Sequence, residues 1–219
     1  MEAFIVFFTR YLPAFADGFL ITTWVAALAA PTAMIWALVL IIPRLARWKW
    51  LTRLVDGYVE IMRNSPLLVQ MYLLYFGLPL LGIFWSSIVC GVIAIALQHG
   101  AFLSEILRSG IQSLSQRQWE AGSAIGLRRS AVIRLVILPQ AFIRVLPALG
   151  NQLIVLVKDT SLVSAIGVMD LTLTGKVTIE RSGASFEAFI AVAMFYLVLT
   201  TVLGLALRVV EVRAARRYG

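Results

Sequence analysis

NSPLLVQMYLLYFGLPLLGIFWSSIVCGVIAIALQHGAFLS, residues 64–104, runs for 41 residues without a formal charge when His99 is neutral. An α-helix rises about 1.5 Å per residue and a hydrocarbon core is about 30 Å thick, so about 20 apolar residues make one crossing. Two crossings fit in this run. Gly77-Leu78-Pro79 and Gly82 punctuate it near its middle, as turn-forming residues do. The reading is one span over 54–76, a second over 86–107, and a short uncharged loop between them.

Working outward, Phe19 to Ile42 gives 24 residues without a charge and predicts a span over 19–42 whose start is marked by Asp17 and Gly18. It is too long for a signal-peptide core and has no basic leader directly before it, so it reads as retained. On the other side, 135–157 is apolar but interrupted by Arg144, Pro139 and Pro147. The prolines remove backbone donors, so this span is expected to be irregular. Ala188 to Leu207 adds 20 uncharged residues and a last span over 188–207. The composition agrees: 61% of the 219 residues are apolar and 14% charged, against about 45–50% and about 25% in soluble domains. A soluble enzyme and a disordered tail are excluded. The expected fold class is an all-α integral membrane protein, one domain over 1–219 with about five transmembrane helices.

Five spans put the termini on opposite sides, and the basic residues choose which. Arg44, Arg47, Lys49 and Arg53 follow the first span, Arg117, Arg128, Arg129 and Arg134 the third, and Arg208, Arg213, Arg216 and Arg217 the fifth. The opposite side carries Arg10, Lys176 and Arg181. The bias of twelve to three places the C-terminus in the cytoplasm and the N-terminus outside. It also accounts for the net charge of +8 without a nucleic-acid partner, for which no stacking aromatics or recognised module is present. The single cysteine, Cys90, allows no internal disulfide, and neither it nor its surroundings suggest a metal site.

The loop over roughly 112–134 is long enough for a helix of its own. Its core reads Gln116-Arg117-Gln118-Trp119-Glu120-Ala121-Gly122-Ser123-Ala124-Ile125-Gly126-Leu127. Trp119, Ser123 and Gly126 or Leu127 fall at helical spacing with small residues on one flank, where another surface can approach closely. Gly126 is a natural helix stop, with Arg128 and Arg129 where cations favour the end of a helix dipole. A helix this short is unstable alone and reads as a docking element.

This segment resembles the EAA loop of permease subunits of ATP-binding-cassette importers, which reads Glu-Ala-Ala, three residues, Gly, nine residues, Ile, any residue, Leu-Pro. Glu120, Ala121, Gly122, Gly126, Val136, Leu138 and Pro139 fall in that register. Gly122 stands for the second Ala and Val136 for Ile. The docking geometry is expected to be unaltered, although Gly weakens a helix by about 1 kcal/mol relative to Ala. Further segments resemble the polar amino acid importers of histidine and glutamine type: residues 58–70, 105–113, Leu138-Pro139-Gln140-Ala141, Gly150-Asn151-Gln152-Leu153 and Lys158-Asp159-Thr160-Ser161-Leu162. The resemblance implies a type I importer in a bacterial inner membrane. Two permease chains, identical or related, form the pathway, a pair of ATPase subunits sits beneath them, and an extracytoplasmic solute-binding protein delivers a polar amino acid. It assigns Glu120, Ala121, Gly122, Gly126, Leu138 and Pro139 to ATPase coupling. No G-x-x-x-x-G-K-[ST] occurs in the sequence, so ATP and Mg would be bound by the partner and this chain is not an enzyme.

Ionisable groups within spans cost about 2.5–3.5 kcal/mol near the bilayer centre and face cavities or partners. Arg63 would lie near mid-membrane and is a candidate receiver of a substrate carboxylate; its bland alternatives are pairing with Glu60 and snorkelling. Asp159 suits a substrate ammonium, unless it begins a loop whose Thr160 and Ser161 cap the next helix. Gln152, two turns before Asp159 on the same face, favours a neutral or amide-compatible ligand. His99 reads as a hydrogen-bonded packing residue, and a membrane hydrolase built on it lacks G-x-S-x-G and a second histidine. Glu105 is expected to pair with Arg108, or with Arg63 across helices. Trp48, Trp50, Trp85, Tyr11 and Tyr196 read mostly as interfacial anchors against lipid. The competing function is a secondary carrier or channel driven by an ion gradient, against which the absence of a visible internal repeat argues.

Overall fold

The computed structural model describes residues 2–46 and 48–218, with side chains over 6–46 and 48–216. Arg47 and the side chain of Arg217, both counted in the basic bias, lie outside the described residues. Among the described residues the regular elements are all helical: α1 Glu2–Ala46, α2 Lys49–Asn64, α3 Leu67–Tyr72, α4 Ser87–Gln112, α5 Gln116–Ala124, α6 Arg129–Val132, α7 Leu138–Asp159, α8 Leu171–Ser182 and α9 Ser185–Tyr218. Among the described residues, four helical stretches are long and apolar enough to cross a membrane: Val6–Ala46, Ser87–Gln112, Arg129–Ile166 and Ser185–Arg216.

Helix α4 is the central rod, packed against α1, α2, α3 and α7. Its contact with α1 follows from sequence: Val25, Ala29, Ala33 and Ala37 recur every four residues and are buried, which puts them on one face. Small side chains let the two backbones approach closely, as in helix pairs within lipid. Helix α9 lies outermost, with Leu197, Val198, Val202 and Leu205 exposed; such a surface suits hydrocarbon rather than water.

Two span boundaries expected from sequence are corrected. The span over 54–76 is not one helix. Helix α2 stops at Asn64, Ser65 turns extended (φ −107°, ψ 143°), and α3 begins beyond Pro66. A proline clashes with helical geometry in the residue before it and offers no N–H to the preceding turn. The carbonyls freed at Met62 and Ser65 accept instead from Gln98 Nε2 of α4, at 3.1 and 2.8 Å, and Gln70 Nε2 also reaches Met62 O at 3.2 Å. Past α3 the turns loosen to π and tighten to 3-10 geometry before Gly82. The second correction concerns α1. Asp17 and Gly18 lie within it rather than at its start. Gly18 is where α8 comes closest: a Cβ there would sit 2.6 Å from Thr174 Oγ1 and 3.2 Å from the Asp170 carbonyl.

The segment leading into α7 is irregular, with π turns over Ile133–Ile137 immediately before Pro139, while Pro147 lies inside α7. Helix α8 is fixed at its first turn by Asp170, which is buried and accepts from Leu173 N at 2.9 Å. Tyr196 is not an interfacial anchor: it is half-buried, eleven residues into α9, and its hydroxyl donates to Asp170 Oδ2 at 3.3 Å. Trp48, Trp50 and Trp85 are exposed, and Tyr11 packs in the Phe7–Phe15 cluster.

Candidate functional site

The nine-residue α5 hangs between the ends of α4 and α7. Its end is set by Gly126 at φ +79°, where an L side chain is strained. Gly126 N donates to Ser123 O at 3.0 Å and Leu127 N to Gly122 O at 3.2 Å, the paired bonds of a Schellman stop. One face is closed inward. Trp119 packs with Leu114, Val132, Ile137 and Ala141, and the Arg129 guanidinium stands over its ring at 5.6 Å. Gln140 Nε2 donates to Gln118 Oε1 at 3.2 Å, and Arg144 Nη1 to Ser113 O at 2.8 Å. These bonds tie α5 and the end of α4 to α7.

Of the residues assigned to coupling, Glu120, Ala121 and Gly126 are exposed, Leu138 is 39% exposed and Pro139 is half-buried. Gly122 is buried against its own chain. A Cβ there would lie 2.9 Å from both γ carbons of Val132. It is therefore a packing residue within the loop and presents nothing outward, and Trp119 likewise faces inward. The pattern-matched position could not reveal this, because Val132 lies ten residues on and only the fold brings it back.

A second polar group sits mid-way along α4. His99 is buried, with its side chain 2% exposed. Its Nε2 lies 3.0 Å from Asp159 Oδ2 and its Nδ1 3.0 Å from Gln152 Nε2. A Gln152 N–H donating to Nδ1 leaves the proton on Nε2, where it donates to the carboxylate. His99 is the hydrogen-bonded packing residue expected from the sequence, and through it the structure joins the two polar candidates of α7. Asp159, with 36% of its side chain exposed, ends α7 rather than beginning a loop. Thr160 does not cap the next helix: its hydroxyl donates to Val157 O at 2.7 Å.

Arg63 stands apart from that group. Its backbone is next to the break in span two, but its guanidinium reaches over the Phe102 ring at 5.3 Å to Glu105 Oε2 at 3.8 Å. The reach toward the α5 end of α4 is snorkelling combined with cross-helix pairing, and no ion pair joins Arg63 to Glu60 among the described residues. Glu105 is the hub of that end. Arg108 Nη2 donates to its Oε2 at 2.7 Å, and Arg44 Nη1 lies 2.8 Å from its Oε1. Arg44 Nη1 makes no well-aligned hydrogen bond, so charge more than bond geometry joins it to Glu105. Arg44 also donates to Asp56 Oδ1 at 2.7 and 3.0 Å. Arg44 of α1, Asp56 and Arg63 of α2, and Glu105 of α4 were separated by up to 61 residues in sequence, and only the Glu105 pairs with Arg63 and Arg108 were foreseen.

The chain is similar to known proteins in sequence and in fold. Residues 29–216 match the family model described as binding-protein-dependent transport system inner membrane component. The glutamine transport system permease protein of Escherichia coli (strain K12) is 35% identical over 204 residues, 92% of this chain and 93% of the relative. The L-cystine transport system permease protein of Bacillus subtilis (strain 168) is 32% identical over 217 residues, 96% of this chain and 88% of the relative. A chain in the crystal structure of an amino acid ABC transporter with histidines superposes with TM-score 0.88 at 34% identity, covering 94% of this chain and 96% of that one. A chain of an inward-facing methionine ABC transporter shares the fold at TM-score 0.79 and 17% identity, over 94% of this chain and 98% of that one.

Proposed function

The chain belongs to the binding-protein-dependent transport system inner membrane components, and from that membership we propose that it is the pathway-forming subunit of an ATP-driven importer for polar amino acids, coupled to a separate ATPase through α5. It is a permease, a transport component rather than an enzyme. The observation that carries the coupling role is the two-sided construction of α5: one face is packed and tied to α4 and α7, while Glu120 and Ala121 are left free beside the Gly126 stop. A foot of this kind passes a push from a nucleotide-driven partner into two membrane helices, and alternating access is then rigid-body movement of packed helices. Leu138 and Pro139, where the loop returns to α7, belong to the same lever.

The amino acid would meet Asp159 and Gln152 at mid-membrane. The carboxylate suits the ligand's ammonium, and the His99 contacts hold both side chains in place. Support comes from the exposed polar groups at membrane depth, Glu60 and Asn64 on α2 and Asn151 and Lys158 on α7. Such groups do not face hydrocarbon, so these faces line a pathway completed by a second permease chain. In this reading the α5 side is cytoplasmic, the N-terminus lies outside, and an extracytoplasmic solute-binding protein delivers the ligand. ATP and Mg are held by the partner ATPase.

The test is the permease assembled with its ATPase and binding protein in liposomes. Glu120→Lys and Ala121→Arg, both on the exposed face, are expected to abolish ATP-driven amino acid uptake while leaving membrane insertion intact. Uptake unchanged in both variants defeats the coupling role. Uptake by the permease alone under an ion gradient establishes the carrier reading instead.

A further inference from the structure

Between the His99 group and α5 the protein holds a cavity of about 440 Å³ whose walls include Asp56, Glu60, Arg63, Asn64, Glu105 and Arg108. We propose that this cavity is a second amino acid site, a release station in which Arg63 receives the ligand's α-carboxylate and Glu60 its ammonium. The proposal rests on the amino acid reading above and adds to it a binding site separate from the Asp159 and Gln152 group.

Position comes first. Glu105 lies seven residues before the end of α4 and six residues beyond His99. At about 1.5 Å per residue, the cavity sits roughly 10 Å from the α5 end and roughly 9 Å from the mid-membrane group. A ligand leaving that group toward the ATPase side passes it.

Chemistry comes next. With Arg44 included the walls carry three guanidinium and three carboxylate groups, which matches a zwitterion and not a net ion. The charges are not equally spent. Both Glu105 oxygens are taken by Arg44 and Arg108, and Arg108 is also bonded to Gln112. Arg44 is held by Asp56 as well. Arg63 is left as the third cation on Glu105 at 3.8 Å, with 44% of its side chain exposed and no hydrogen bond to its guanidinium among the described residues. Glu60 is exposed and enters no ion pair among the described residues. One turn apart on α2, these two present opposite charges on the same face, and Asn64 beside them offers an amide. A weakly paired cation beside an unpaired carboxylate at membrane depth calls for a polar occupant, and a planar guanidinium binds carboxylate in bidentate fashion. A volume of this size suits a small metabolite.

The experiment measures inhibition of uptake by ligand added on the ATPase side of liposomes carrying the full complex. The probe is the best-transported member of a panel of polar L-amino acids, with its α-amide as the carboxylate-free counterpart. Arg63→Gln is expected to raise the inhibitory concentration about tenfold, the loss of one charged hydrogen-bond partner, and Arg63→Lys to recover part of it. The α-amide should inhibit the wild type only as weakly as the amino acid inhibits Arg63→Gln. A change below about threefold, or an α-amide as potent as the amino acid, overturns the proposal. Should Arg63→Gln fail to assemble, Glu60→Gln replaces it with the same threshold, read with the amino acid itself, and a counterpart lacking the α-amino group takes the place of the α-amide. A complex that transports no amino acid defeats the importer reading; transport with unshifted inhibition defeats the release station alone.

Discussion

Gly122 shows how one atom sets the packing of α5 against the chain that follows it. In the importer pattern an Ala stands there, and replacing Gly by Ala favours a helix by about 1 kcal/mol. Here the added methyl would meet Val132 at 2.9 Å, and overpacking of this kind costs about 1–3 kcal/mol. Gly122→Ala is therefore expected to lower both thermal stability in detergent and substrate-stimulated ATPase activity, and Val132→Ala in the same chain should restore them. Asp170 offers a second residue-level expectation. Burial raises its carboxyl pKa above the ordinary value, against the pull of the Leu173 and Thr172 backbone N–H groups. The folded state then holds the proton more tightly than the unfolded one, so the residue's stabilisation is greatest in acid and is lost as pH rises through the folded value. Asp170→Asn keeps the acceptor for Leu173 and should flatten that slope in unfolding scans across pH. Asp170→Ala should lose about 1 kcal/mol with the cap.

At the level of elements, the break in span two is the main feature. Pro66 makes it, and Gln98 and Gln70 accommodate it by donating to the two freed carbonyls. Discontinuous helices near mid-membrane line binding sites in transporters because their loosened backbone needs polar company. Pro66→Ala returns the missing N–H and lets α2 run on into α3. The chain is expected to insert normally but to transport at a small fraction of the wild-type rate, measured as uptake per assembled complex. Gln98→Leu should instead lower stability by about 1–3 kcal/mol, since buried carbonyls then lose a donor. A clear start-of-break signal, Ser65-Pro66, was present within the uncharged run. Run length alone does not register it, because hydropathy weighs polarity and not backbone geometry.

For the whole molecule the decisive connection is electrostatic. Glu105 fastens α1 through Arg44 and α2 through Arg63, and it lies on the helix that leads into α5. The Trp36–Tyr58–Leu97 chain of hydrogen bonds, at 2.8 and 3.1 Å, joins the same three helices higher up. In the proposed coupling role, a push on α5 would be shared by α1, α2 and α4. Glu105→Ala leaves Arg44, with 7% of its side chain exposed, without one of its two carboxylates. Loss of about 3–5 kcal/mol in stability is expected for breaking such a pair. Chemical denaturation of the purified chain in detergent checks this, and little change there would mean that the helices hold together by packing alone.

Sequence alone determined that this protein is helical, that it has helices apolar enough for lipid, and that its loop resembles an importer's pattern, since apolar run length and the spacing of Glu120, Gly126 and Pro139 are local properties. It also singled out Gln152 and Asp159, because ionisable and amide groups in apolar helices are conspicuous without any fold. Tertiary structure decided what each of them faces. That His99 bridges the two, that Arg63 leaves them for Glu105, that Gly122 and Tyr196 turn inward, and that Arg44 and Asp56 join the network all depend on helices distant in sequence. Hydropathy reports whether a residue can enter a membrane; which neighbour it meets there is set by the rotation and depth at which packed helices settle against one another.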